Sequence, residues 1–270
     1  MIVFPNAKIN IGLNVVEKRP DGFHNIETVF FPTGFSDILE INISRKDFAF
    51  TNTGIIIEQG TADNNLCYKA YNLLKQNHSI NPVNIHLHKQ IPIGAGLGGG
   101  SSDGSFTLQA INNLQNLNID QSILIEYAKN LGSDCPFFIL NKPLFASGTG
   151  NIFESIHISL KGFYLVIVNP GLHINTAKAY SQIKPVKPKQ SLKKLIEKPV
   201  ENWKNTIFND FEPIIFNDFP QIEKIKQTLY SAGAAYASMS GSGSSVFGLY
   251  KDKPQLKEIF GNQVIWEEIL

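Results

Sequence analysis

Residues 91–104 read "IPIGAGLGGGSSDG", six glycines in fourteen positions, closed by two serines, an acid and the last of those glycines. A glycine inside regular structure costs roughly 0.5–1 kcal/mol relative to alanine, so such a run points to a place where the backbone itself has work to do. A simple turn needs neither six glycines nor a Ser-Ser-Asp helix start. Residues 94–99, "GAGLGG", satisfy the dinucleotide fingerprint G-x-G-x-x-G, and Asp120 lies at about the distance that motif expects. The preceding "VNIHLHKQIP", however, alternates polar and apolar residues and breaks at Pro92, whereas the central strand of a parallel sheet reads as a continuous apolar run. No Gly-Lys-Ser/Thr follows, which excludes a Walker A loop. What remains is the physics these motifs share. Backbone N–H groups unobstructed by Cβ atoms curl round an anion, and a helix N-terminus points its dipole at it. Phosphate is the natural guest. Ser101 and Ser102 then stand at the helix start, with Ser102 expected both to cap the helix and to contact phosphate or metal.

The elements around this loop follow from periodicity. "AKINIGLNVVEK" puts Lys8, Asn10, Gly12 and Asn14 on one face and Ala7, Ile9, Ile11 and Leu13 on the other, the pattern of a half-buried strand. "HNIETVFFP" and "DILEINIS" continue the alternation, so the opening section reads as an antiparallel meander. From Asn65, Leu66, Ala70, Leu73 and Leu74 fall at helical spacing, with Asp63 or Asn64 available as N-cap. "VNIHLH" is again a strand. A helix is predicted from Ser101 to about Asn116, and another over "QSILIEYAKNLG" with its C-cap at Gly132. Beyond residue 150 come the strand "FYLVIVNP", a short helix from Thr176 and the Lys/Pro-rich stretch "KPVKPKQSLKK", expected to be a mobile, solvated surface segment. Helix, strand, Gly/Ser turn, strand, helix and strand close the chain. The order points to an α+β sandwich, with a domain boundary near residues 145–160 and hence domains 1–150 and 151–270.

Composition excludes several function classes. Twenty-four Lys and Arg against 23 Asp and Glu leave no basic field for nucleic acid or anionic lipid. Cys67 and Cys135, the only cysteines, have no CxxC spacing, so neither a disulfide scaffold nor a zinc ribbon is indicated. The start "MIVFPNAKIN" lacks a signal-peptide apolar run, and no stretch approaches the ~20 apolar residues that span a bilayer. A cytoplasmic protein, monomeric or a weak homodimer, with neither nucleic acid nor membrane as partner, is expected.

Three stretches in order carry a resemblance. "PNAKINIGL", "PIGAGLGGGSSD" and "YASMSGSGSSVFG" are similar to the three motifs of the GHMP kinases, which phosphorylate small-molecule alcohols from ATP. "AKIN", "RPDGFHNIETVF" and "LGSDCPFF" further resemble those members that phosphorylate a cytidine-diphospho polyol in the non-mevalonate isoprenoid route. A kinase for another small alcohol, homoserine or mevalonate, remains open, as does a non-catalytic nucleic-acid-binding module. The resemblance implies an α+β, two-lobed fold: a ribosomal-protein-S5-domain-2-like N-terminal lobe, a ferredoxin-like C-terminal lobe, and an active site in the cleft between them. It implies ATP as phosphoryl donor with Mg²⁺, and small molecules, ATP and a cytidine-diphospho polyol, as partners.

The site residues are carried over one by one. Pro92, Ile93, Gly94, Ala95, Gly96, Leu97, Gly98, Gly99, Gly100, Ser101 and Ser102 would hold the ATP phosphates, with Ser102 also the metal contact. Asn65 and Lys89 would lie near adenine. Asp134 matches the family's catalytic base, although on spacing alone an Asp after Gly132 and two residues before Pro136 reads as a helix N-cap. Lys8 matches the catalytic lysine that orients the acid and holds the acceptor hydroxyl, and Asn10 would bind the polyol. Phe23, in place of the family's usual tyrosine, and Tyr180 would clamp a cytosine whose edge His24 reads. Thr176, Gly241 and Gly243 would line the same substrate site. Gly104 stands where relatives usually have alanine, and is expected to weaken its helix by ~1 kcal/mol.

Overall fold

In the computed structural model, which describes residues 1–57 and 65–270, the alternation near the start produces a strand that is buried on both faces. In chain order the strands are β1 (Ile2–Val3), β2 (Asn6–Lys18), β3 (His24–Ser36), β4 (Ile38–Ile43), β5 (Ala49–Gly54), β6 (Val83–Lys89), β7 (Leu144–Ser147), β8 (Ile152–Ser155), β9 (Tyr164–Val168), β10 (Tyr236–Met239), β11 (Val246–Tyr250) and β12 (Val264–Ile269). The helices are α1 (Leu66–Asn77), α2 (Gly99–Leu114), α3 (Gln121–Leu131), α4 (Cys135–Leu140), α5 (Thr176–Gln182), α6 (Leu192–Leu195), α7 (Glu212–Asp218), α8 (Pro220–Ser231) and α9 (Lys257–Phe260).

On β2 the apolar set Ala7, Ile9, Ile11 and Leu13 is buried as expected, but Lys8 and Asn10 are only 3 % and 2 % exposed. The half-buried reading is therefore corrected. Alternation reports which residues share a face, not whether the polar face meets water. The meander is corrected too. β2 and β3 are neighbours in one sheet, of order β2-β3-β7-β8, whereas β4 leaves it for a second sheet of order β1-β4-β6-β5. There β4 runs antiparallel to both β1 and β6, while β5 runs parallel to β6.

Two compact units result. The first comprises Met1–Ala7, Gly34–Ile93 and Gly98–Lys142; the second comprises Lys8–Thr33, Gly94–Leu97 and Pro143–Leu270. In the first, the sheet residues Leu39, Ile41, Ile85 and Leu87 pack with Ala70, Tyr71 and Leu74 of α1 and Leu108 and Ile111 of α2. The second unit includes most of β2 and β3, in keeping with the pairing of β3 with β7, Thr28 opposite Ala146. Leu13 also exchanges backbone bonds with residues 208 and 210. Its other sheet is antiparallel with order β10-β11-β9-β12. Counted from β9 that order is 2-3-1-4, the split β-α-β arrangement expected of a ferredoxin-like lobe. Among the described residues no helix is long and apolar enough to cross a membrane.

Local chemistry sets the helix starts. Asp63 and Asn64 lie outside the described residues; the cap of α1 is Asn65, whose side chain accepts from the Cys67 N–H at 2.8 Å. In the Lys/Pro-rich stretch Lys184, Lys187, Lys189 and Lys194 are exposed, as a solvated face requires. Leu192 and Leu195 of α6 are nonetheless buried, and the Val186 N–H donates to the Val15 carbonyl, so the stretch is partly docked.

At Gly104 packing opposes helix propensity. A Cβ built there would lie 2.8 Å from Leu66 Cβ and 3.3 Å from Leu66 O, so the bare position lets α1 and α2 approach. Gly104→Ala is expected to be destabilising, overpacking at about 1–3 kcal/mol outweighing the ~1 kcal/mol gained in helix propensity, and so to lower the melting temperature. A thermal melt of the variant decides the sign.

Candidate active site

The glycine run breaks into positions with separate reasons to lack a side chain. At Gly96 a Cβ would fall 2.0 Å from the Ser240 carbonyl oxygen, so only glycine allows these backbones to meet. Gly98 sits at φ 71° as the N-cap of α2, a left-handed conformation that glycine adopts without strain. Because the cap is a glycine, no side chain accepts from the first turn of α2. Ser102 is therefore not the cap. It lies inside the helix with its N–H donating to the Gly98 carbonyl, and its hydroxyl oxygen is buried with no hydrogen-bond partner. At Gly100 a Cβ would meet nothing within 4 Å. The run thus ends in a helix N-terminus with uncapped donors and open space before them, which is what an anion needs. Upstream, Pro92 is half-buried and Ile93 and Gly94 are exposed. The Ala95 and Leu97 carbonyls accept from the Ser245 and Lys8 N–H groups, anchoring residues 94–97 within the second unit. Ser101 accepts through its carbonyl from Ser105.

Lys89, expected near adenine, is 3 % exposed. Its ammonium pairs with Asp37 and, at 3.0 Å, with Asp103, while Asp37 also accepts from the N–H groups of Gln90 and Ile91. A Cβ on Gly99 would lie 2.8 Å from Lys89 Nζ, so this buried cation sits directly under the start of α2. Burial works against its charge, but the carboxylates of Asp103 and Asp37 outweigh that and hold its pKa above the ordinary value. One ammonium serves two carboxylates. Burial pushes Asp103 upward, against the pull of Lys89 and with the help of Asp37.

Asp134 occupies the N-cap position of α4, yet its side chain makes no capping bond. The carboxylate that spacing alone assigns to the cap is not used there. Ser105 helps to fix the segment: its hydroxyl lies 2.8 Å from both the Ser101 and the Cys135 carbonyls and so ties the first turn of α2 to the start of α4.

In the second unit, Lys8 donates to Asn10 Oδ1 at 2.5 Å and to the Gly96 carbonyl at 3.1 Å, over the Phe30 ring. The Asn10 amide donates to Thr28 Oγ1, which donates to the Gly12 carbonyl. Ser240 accepts from the Asn10 N–H and donates to the Gly96 carbonyl at 2.8 Å. The first motif, the glycine loop and the third motif thus meet at one buried polar cluster. A Cβ on Gly241 would be 3.4 Å from Asn10 Oδ1, and one on Gly243 would be 2.8 Å from Met239 Sδ. Thr28 and Ser240 escaped sequence reading, because a buried threonine or serine looks like any solvent-facing one.

The aromatic residues are brought together in an unexpected order. His24 stacks on Tyr180, with ring centroids 5.1 Å apart and planes at 26°, while Phe211 packs edge-on against Tyr180. Phe23 is 66 % exposed. Both residues leave a turn pinned by Arg19 on Asp21 and by the Phe23 N–H on the Asp21 carboxylate. Partial burial and the nearby Lys18 hold His24 below the usual histidine pKa. Thr176 and Ser242 share a hydrogen bond at 2.9 Å.

Glycine loop, buried lysine and Gly/Ser turn define a class. The family model for the GHMP kinase N-terminal domain matches residues 65–142, that for the C-terminal domain matches residues 189–262, and the chain belongs to the GHMP kinase family. Within it, the chain is 53 % identical over 262 residues to the 4-diphosphocytidyl-2-C-methyl-D-erythritol kinase of Bacteroides fragilis, covering 96 % of this chain and 95 % of that one. A crystal structure of 4-(cytidine 5'-diphospho)-2C-methyl-D-erythritol kinase superposes with a TM-score of 0.78 at 31 % identity, over 92 % of this chain and 90 % of that one. The mevalonate kinase of Methanococcus jannaschii shares the fold, with a TM-score of 0.68 at 15 % identity over 93 % and 90 % of the two chains.

Proposed function

We propose that this chain transfers the γ-phosphoryl group of ATP to the 2-hydroxyl of 4-(cytidine 5'-diphospho)-2-C-methyl-D-erythritol, giving the 2-phosphate and ADP in isoprenoid precursor biosynthesis. The observation that carries the phosphoryl-transfer reading is the uncapped N-terminus of α2 behind Gly98, with open space at Gly100. The choice of acceptor rests on near-full-length relatives of that name. Residues 92–102 cradle the phosphates, and Asn65 lies on the adenine side. Lys89 contributes from beneath, by holding the start of α2. The acceptor oxygen bonds to the γ-phosphorus as the bond to the ADP oxygen breaks; Asp134 takes the hydroxyl proton and Lys8 holds the hydroxyl. Asn10, Thr176, Gly241 and Gly243 line the polyol and diphosphate side. Mg²⁺ bound with the nucleotide would neutralise phosphate charge, and Ser102, with its unpartnered buried hydroxyl, fits as its side-chain ligand. The division into lobes 1–150 and 151–270, a cytoplasmic location and a monomer or weak homodimer belong to the same proposal.

Recognition of the base is assigned to Phe23, His24 and Tyr180. Base stacking on an aromatic ring is worth ~1–3 kcal/mol, so Tyr180→Ala should raise the acceptor KM about fivefold to about a hundredfold while the ATP KM stays unchanged. ATP consumption measured against the cytidine conjugate, its uridine counterpart, the bare polyol, mevalonate and homoserine tests the whole reading. The cytidine conjugate is expected to be strongly preferred. Equal use of the bare polyol would remove the base pocket, and preference for mevalonate or homoserine would replace the acceptor.

A further inference from the structure

Ser240 stands at the centre of the polar cluster in the second unit, and its own position is set from behind by a residue that no motif includes. Asn209 is 1 % exposed. Its amide donates to the Met239 carbonyl and to the Gly241 carbonyl, each at 2.8 Å, so it grips the chain on both sides of Ser240. Its Oδ1 accepts from the Phe211 N–H at 3.0 Å, which orients the amide. Glu212, one turn on, accepts from the Met239 N–H at 2.9 Å and from Ser238, and is itself held by Lys226. Both peptide groups of Met239 are therefore fixed by side chains of the stretch "NDFE". Ser240 in turn bonds the Asn10 N–H and the Gly96 carbonyl, the same carbonyl that receives Lys8.

We propose that Asn209 is a positioning residue for phosphoryl transfer: by clamping Met239 and Gly241 it places Ser240, and through Ser240 it fixes the Gly96 carbonyl and Asn10, both of which accept from the Lys8 ammonium and help to aim it. The physical reason is cooperative. Buried polar groups in a connected network hold one another, and losing one leaves its partners unpaired and displaced. The proposal rests on the role given to Lys8 above, but the geometry behind it does not.

The test uses the whole protein and the variants Asn209→Asp, which keeps the acceptor for Phe211 and removes the double donor, Asn209→Ser, which adds no charge, and Ser240→Ala. Two readouts are taken. With saturating acceptor, kcat is expected to fall about tenfold to about a hundredfold, while the ATP KM changes less than about threefold, because a misplacement near 1 Å costs about that much. In the double variant Asn209→Asp/Ser240→Ala the loss should be no larger than that of the worse single variant. Separately, acylation of lysines by an amine-directed reagent, read by mass spectrometry, should be about tenfold faster at Lys8 in each variant and unchanged at buried Lys89, whose protection reports that the fold is intact. Multiplying losses in the double variant, or unchanged Lys8 labelling in a folded variant, would overturn the proposal. So would failure of both Asn209 variants to fold, since Asn209 would then be a determinant of folding alone. If the unaltered protein phosphorylates none of the alcohols, the functional reading falls, while Lys8 labelling still decides whether Asn209 positions the lysine.

Discussion

Asp134→Asn is expected to lower kcat by roughly 10²- to 10⁴-fold with little change in the ATP KM, the magnitude that general-base assistance supplies. The structure sharpens this expectation by separating two roles that sequence spacing leaves confounded. An N-cap carboxylate replaced by a poorer cap costs helix stability, typically ~1 kcal/mol. The Asp134 side chain makes no capping bond, so loss of a helix cap is not part of what Asp134→Asn does to the melting temperature. The segment that carries it is held by Ser105 through the Cys135 carbonyl, a contact the substitution leaves in place. Measuring kcat and the melting curve on the same preparation checks the assignment. A lowered melting temperature with unchanged turnover would return Asp134 to the cap.

Gly100→Val should abolish ATP binding, or weaken it roughly a hundredfold or more, since two lost bonds to charged oxygens at ~1.5–3 kcal/mol each amount to that much. Gly100 is the informative position in the run. A Cβ there meets no protein atom within 4 Å, so a side chain enters open space beside the first turn of α2 and the fold should be unaffected. Gly98 is a poorer probe, because at φ 71° a valine would strain the start of α2 and confound binding with stability. Gly96 is poorer still, as any Cβ would meet the Ser240 carbonyl. A nucleotide titration of folded Gly100→Val that matched the unaltered protein would remove the phosphates from this helix end.

Much of the chain was legible because it is encoded locally. The helical spacing of Leu66, Ala70, Leu73 and Leu74 and the alternation of "VNIHLH" each became the expected element. Boundaries moved by little: α2 begins at Gly99 rather than Ser101. Harder to read were elements whose meaning depends on what lies against them. Three alternating segments in a row read as a meander, but β4 joins β1 rather than β3, because pairing is settled by which edges become available when the chain folds. His24 and Tyr180 were expected at one base, and that they stack directly on each other, 156 positions apart in sequence, is something no alternation rule describes.

The sequence by itself determined most of the longer elements and, through three motifs in order, the kinase family. These are properties of neighbouring residues, set by backbone freedom and by periods of two and 3.6. The tertiary structure alone decided which polar residues are buried and what they hold. Lys8 and Asn10 look solvated until residue 240, 230 positions away from Asn10, covers their strand. Lys89 looks like a surface cation until Asp37 and Asp103 enclose it. Gly104 looks like a weak point in a helix until Leu66 fills the place of its missing side chain. In each case the energy of a group depends on its surroundings after desolvation, and those surroundings come from distant parts of the chain.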